Sequence, residues 1–139
     1  MSNHIRELYK CPKCALVIEI AAACSCTEPC LRCCGEKLHP LPVNTTGELN
    51  EKHLPVVTLD EKGIHVRVGS VEHPMMTAHY IMWIEVSSGS NVMRKYLKPG
   101  EEPEAFFPVA KMHCSCNSNI IVREYCNLHG LWQTEINKN

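Results

Sequence analysis

Seven of the ten cysteines in this 139-residue chain fall between Cys11 and Cys34, and the other three, Cys114, Cys116 and Cys126, lie near its end. That density is far above what a core needs, and in a reducing compartment it points to metal ligation rather than disulfides. The crowding also divides the chain. Residues 1–38 carry too few large apolar side chains for a core of their own and read as a small module that a metal holds together. His39-Pro40-Leu41-Pro42 is a proline-punctuated boundary, so residues 39–139 form the second domain, which has the length for one sizeable core.

The second domain reads as β structure. Pro55–Leu59 and Ile64–Gly69 are β-branched runs joined by the turn Asp60-Glu61-Lys62-Gly63, a hairpin signature. Runs at Tyr80–Val86, Val92–Leu97, Ala105–Val109, Ile120–Tyr125 and Leu131–Glu135 continue the pattern at the spacing of an antiparallel sandwich. No stretch there has sustained helical periodicity. Function is therefore expected on loops and strand ends of a mainly β scaffold.

Cys11-Pro12-Lys13-Cys14 places two thiols on one tight turn, and Cys33-Cys34-Gly35 brings a second pair on a turn where glycine relieves the backbone. Four such sulfurs can converge tetrahedrally, which suits zinc or a single iron alike. Cys24, Cys26 and Cys30 lie between the pairs; they are either bystanders or, through the matching tripeptides Cys24-Ser25-Cys26 and Cys114-Ser115-Cys116, part of a further thiol site.

Histidines mark the element boundaries of the second domain: His53 after Glu51-Lys52, His73 before Pro74, His79 beyond a short loop, and His129 in Cys126-Asn127-Leu128-His129-Gly130. Neutral imidazoles with one thiolate suit iron, copper or zinc rather than calcium or magnesium. Five such ligands leave one octahedral position open, as a reactive centre requires. His65, between Ile64 and Val66 on the face of Arg67, is expected to face solvent, and His4, His39 and His113 belong to no clear motif.

These segments, in order, resemble the desulfoferrodoxin family of superoxide reductases: Tyr9-Lys10-Cys11-Pro12-Lys13-Cys14, Cys33-Cys34-Gly35-Glu36, Glu51-Lys52-His53-Leu54-Pro55-Val56, His73-Pro74-Met75, His79-Tyr80-Ile81, Leu97-Lys98-Pro99-Gly100 and Arg123 through Gly130. The resemblance covers nearly the whole chain. It implies a desulforedoxin-like N-terminal module and an immunoglobulin-like antiparallel β-sandwich. It also implies a catalytic iron held by His53, His73, His79 and His129 with Cys126 as the fifth ligand. Cys11, Cys14, Cys33 and Cys34 would hold a second iron, or zinc. The implied activity is one-electron reduction of superoxide to hydrogen peroxide, supplied by a rubredoxin-like electron donor, in a homodimer of an anaerobe's oxidative-stress defence. The chain departs from the family in the long cysteine-rich segment between Cys14 and Cys33 and in Lys111–Ser118.

Within that reading Lys52 adds positive charge beside the iron and can orient a water that delivers a proton, while Glu51 is the carboxylate that closes on the oxidised centre. Read from charge pattern alone, the two are a solvated pair. A dismutase, or an electron-transfer or zinc-stabilised binding module, would use the same residues with no donor or no histidine site. A formal charge of −1 offers no broad basic face for nucleic acid. The opening residues show no basic segment followed by an apolar one, and no run is long enough to span a bilayer, so a cytoplasmic protein is expected.

Overall fold

The computed structural model describes residues 5–47, 49–108 and 119–137. The chain divides into two compact units, Met1–Pro42 and Val43–Asn139. His39 and Pro40, at the proline-rich boundary, are strand residues of the first unit.

In the first unit β1 (Leu8–Lys10) pairs with β2 (Val17–Glu19) and β5 (His39–Pro40), while β3 (Arg32–Cys33) and β4 (Glu36–Lys37) form a two-stranded ribbon. Tyr9, Cys11 and Leu38 are buried, with Ile18, Ile20, Leu31 and Cys33 packed around them. A core this small includes two thiols of the candidate ligand set, Cys11 and Cys33.

The second unit contains β6 (Val43–Asn44), a single helical turn α1 (Asn50–His53), β7 (Pro55–Leu59), β8 (Gly63–Val68), β9 (Ile81–Ser88), β10 (Asn91–Tyr96), β11 (Glu104–Pro108), β12 (Ile120–Cys126) and β13 (Gly130–Ile136). Two sheets, ordered β10-β9-β12-β13-β6 and β11-β8-β7, enclose Ile64, Val66, Val68, Ile84, Val86, Phe107 and Val122. The fold is mainly β, as the sequence pattern implies. The strands lie within a residue or two of their expected bounds; Val109, at the end of one, is outside the described residues. All the pairings are antiparallel except β13 with β6, which is parallel. Asp60 makes the first hairpin by accepting hydrogen bonds from the backbone N–H of Lys62 (2.8 Å) and Gly63 (3.0 Å). His65 is exposed as expected, with Nε2 3.0 Å from Asp60 Oδ2.

Register in the larger sheet is fixed by two side-chain rows. Arg94 and Arg123 stand opposite Glu85 from the strands on either side, and Tyr96 and Tyr125 stand opposite Trp83. Glu85 is fully buried and bonds both guanidiniums, Arg123 Nε at 2.9 Å among them. Arg94 lies 4.4 Å above the Trp83 ring, which stacks on Tyr125 at 6.0 Å. Slipping β12 by one residue would strand these charges and turn Cys126 away from the core. Replacing one member of a buried ion cluster leaves its partners unpaired, so Glu85→Ala should cost about 3–5 kcal/mol of unfolding free energy. A urea titration followed by tryptophan fluorescence reads this as a lower midpoint.

Candidate metal centres

Each candidate histidine ligand of the second unit is placed by a local device. His53 ends α1, a turn too short to stand alone. The turn is held through the carbonyl of Glu51, which accepts from Val71 N (2.9 Å) and Ser70 Oγ (3.1 Å). The backbone of Gly69 passes so close that a Cβ there would lie 2.6 Å from that oxygen. His73 follows β8, its N–H bonded to Val68 O at 3.1 Å. The Leu97–Gly100 motif supports the same loop, since Gly100 N donates to Met75 O at 2.8 Å from a backbone of positive φ.

His79 closes a turn with Met76, each N–H donating to the other's carbonyl at 3.0 Å. Asn127 ties this turn to the end of β12: its Oδ1 accepts from Tyr80 N (2.9 Å) and its Nδ2 donates to Ala78 O (3.0 Å). Cys126 is the last residue of β12, beyond a register shift against β9, and Gly130 at φ 83° starts β13 so that His129 folds back beside the thiol.

These devices bring His53, His73, His79, Cys126 and His129 together, with one donor atom from each within 4.8 Å of all the others. His53 Nε2 lies 3.1 Å from both His73 Nε2 and His129 Nδ1, and Cys126 Sγ lies 3.8 Å from His129 Nδ1. Tautomers follow from the outer contacts. His53 Nδ1 donates to Leu49 O (2.9 Å) and His73 Nδ1 to Pro74 O (2.6 Å); carbonyls only accept, so each neutral ring turns an unprotonated Nε2 inward. Two lone pairs thus face each other at 3.1 Å with no proton to share. The Nε2 of His79 is buried with no hydrogen-bond partner among the described residues.

Protonation does not relieve this. Burial, opposed in part by the Pro74 carbonyl, pushes His73 down to about 4; burial also lowers His53 and His79, the neighbouring imidazoles and the Lys52 ammonium adding to the effect. A soft or borderline cation is what the donor set fits. Trp132 stacks on His53 at 5.0 Å and donates Nε1–H to His129 O at 3.0 Å, fixing the surroundings of two of the rings. His53 and His73 are 1% exposed, His79 and His129 are half-buried, and Glu51 and Lys52 are exposed on α1 beside them.

In the first unit Cys11, Cys14, Cys33 and Cys34 also lie with their sulfurs within 4.8 Å of one another. Positive φ at Ala15 (63°), Cys34 (53°) and Gly35 (79°) turns the two knuckles inward. Hydrogen bonds from backbone N–H groups, that of Cys14 first, hold Cys11 down to about 6, while donation to Cys11 first of all pushes Cys33 up to about 12. A bound cation favours the thiolate form of such ligands, so binding a metal here would release protons. By spacing, Cys30-Leu31-Arg32-Cys33 is a rival C-x-x-C pair, but the fold leaves Cys30 outside the group. Cys114 and Cys116 lie outside the described residues.

Motif reading missed Gly69, Asn127 and Glu124. Glu124 is fully buried two residues before Cys126, with neither carboxyl oxygen hydrogen-bonded among the described residues, and burial pushes its pKa well up. A glutamate in a strand gives no sequence signal of such burial.

Residues 45–135 match the sequence profile of the family described as Desulfoferrodoxin. The chain belongs to the desulfoferrodoxin family. It is 42% identical over 132 residues to a desulfoferrodoxin homolog of Archaeoglobus fulgidus, covering 95% of this chain and 98% of that one. Among solved structures it resembles the superoxide reductase from Treponema pallidum, with a TM-score of 0.69 and 28% identity over 92% of this chain and 96% of that one. The superoxide reductase of Giardia intestinalis matches with a TM-score of 0.54 and 30% identity over 63% of this chain and 99% of the other. Membership in this family of iron-binding oxidoreductases agrees with the donor chemistry of both groups. No helix among the described residues is long and apolar enough to cross a membrane.

A pH dependence follows for the metal-free protein. The unfolded chain protonates His73 near 6.5, whereas the folded chain does so only near 4. The unfolded state therefore binds more protons between these values, and stability falls as pH drops from about 6.5 toward 4. Urea midpoints of the metal-free protein should decline across that window, and less steeply in His73→Gln.

Proposed function

We propose that the protein is a superoxide reductase, which reduces superoxide by one electron to hydrogen peroxide at a non-haem iron held by His53, His73, His79, His129 and Cys126. The observation that carries this reading is the convergence of unprotonated imidazole nitrogens and one thiol on a single point beside an open, lysine-bearing turn. Iron bound there would supply the one-electron redox chemistry, with five protein donors leaving a position for substrate.

The chain's own residues have separable tasks. The carbonyls of Leu49 and Pro74 hold the imidazoles of His53 and His73 in the ligating tautomer. Cys126, fully buried, keeps its sulfur from bulk solvent. Lys52, exposed on α1, attracts the superoxide anion despite the slightly negative chain and orients the water that delivers a proton to product. Glu51, exposed on the same turn, is the carboxylate that would close on the iron in its oxidised form. The four thiols of the first unit would hold a second iron, or zinc, in a closed site with no room for substrate. Electrons come from a rubredoxin-like donor, and the reading places the protein in the cytoplasm of an anaerobe, as a homodimer, with residues 1–38 and 39–139 as its two domains.

Mixing the anaerobically reduced, iron-loaded protein with a pulse of superoxide should give rapid oxidation, with hydrogen peroxide as product. Oxygen evolution would mark a dismutase instead, and an unreactive iron centre would leave an electron-transfer protein. Cys126→Ser should abolish the reaction and the colour of the oxidised centre. Lys52→Ala should slow superoxide capture by roughly tenfold and flatten its dependence on salt, the low end of what electrostatic steering contributes.

A further inference from the structure

Three thiols of the first unit belong to neither ligand set. Cys24, Cys26 and Cys30 are spaced C-x-C-x-x-x-C on the segment 21–31 between β2 and β3. All three are free; Cys26 and Cys30 are exposed and Cys24 is half-buried. The segment has bends but no strand through residue 31, and its ends are pinned. Ile20 O accepts from Arg6 N (2.7 Å), Ile20 N donates to Glu7 O (3.1 Å), and Leu31 O accepts from Leu38 N (2.8 Å). Pro29 is buried within the segment. The Cys24-Ser25-Cys26 tripeptide is already curled, because Cys24 Sγ lies 3.7 Å from Cys26 O.

We propose that Cys24, Cys26 and Cys30 form a third metal site, for a soft monovalent ion of the Cu(I) type bound by three thiolates. The donor inventory decides the class. The segment has no histidine, and its one carboxylate, Glu28, is 3.3 Å from Lys37 Nζ, so sulfur is what it offers. Hard cations want oxygen, and zinc or iron in sulfur sites takes a fourth ligand; three soft donors suit Cu(I). The sulfurs are not gathered as those of the other two sets are, and a short loop pinned at both ends closes round an ion at small entropic cost. Binding breaks three S–H bonds, forms three S–Cu bonds and releases three protons, with no change of oxidation state. The site stands independently of the reaction proposed above.

The test is an anaerobic Cu(I) titration of the full chain, its four-cysteine set already holding iron or zinc, against a chromogenic Cu(I) chelator. Wild type should withhold an equivalent of Cu(I), and the Cys24→Ser, Cys26→Ser, Cys30→Ser triple variant should lose it. A Cys114→Ser, Cys116→Ser variant should keep it. Alkylation mapped by mass spectrometry, which needs no variant, should show Cu(I) protecting Cys24, Cys26 and Cys30. The proposal is overturned if wild type withholds no Cu(I), if the triple variant withholds as much, if the Cys114 and Cys116 variant loses the equivalent, or if protection falls on Cys11, Cys14, Cys33 and Cys34.

Discussion

The second unit is organised around an electrostatic conflict. The carbonyls of Leu49 and Pro74 take the Nδ1 protons of His53 and His73, which leaves their Nε2 lone pairs 3.1 Å apart inside the protein. Burial denies them the proton that would join them. A protein that arranges acceptors against one another at that distance, with His79 Nε2 also unpartnered among the described residues, has a place for a cation and little else. The loops around the site serve to hold those rings against their mutual repulsion.

That burden falls on the sandwich. Cys126 belongs to the apolar core and to the metal group at once, so the register of β12 against β9 sets where the sulfur stands. The Arg94–Glu85–Arg123 row, with Glu85 fully buried, and the Tyr96–Trp83–Tyr125 row beside it specify that register more tightly than aliphatic contacts could, since a slip would leave buried charge unpaired. Asn127 then carries the position of the sulfur across to the His79 turn, and Gly69 carries the end of β8 to the His53 turn.

The strands were legible because β-branched runs with turn signals survive in a single sequence, and Pro55–Leu59 matches to the residue. The five donors were legible only as a family series; taken singly, His53 is a histidine at the end of a four-residue helix that no periodicity announces. The parallel pairing of β6 with β13 was hidden because β6 is two residues long. Gly69, Asn127 and Glu124 were hidden for another reason. A close backbone approach, a side-chain bridge between loops and a buried unpartnered carboxyl are properties of tertiary packing, and residue type alone does not carry them. In the first unit the pairs Cys11 with Cys14 and Cys33 with Cys34 were legible from their spacing, and the structure gathers the four sulfurs into one group.

The two ligand sets differ in the property that matters for reactivity. Four sulfurs complete a tetrahedral shell, so a metal in the first unit would exchange electrons or stabilise the fold without meeting a substrate. Four nitrogens and one sulfur would leave an octahedral shell incomplete, and burial around the candidate site is uneven. His53 and His73 are sealed in, His79 and His129 are half-open, and α1 sets Glu51 and Lys52 in solvent beside them. Under the proposed function, a carboxylate and an ammonium on one short turn would answer opposite needs, the one closing on the oxidised centre and the other drawing an anion to it. Their backbone is pinned through the carbonyl of Glu51 while their side chains are exposed, so the turn is held in place and its charges still face solvent.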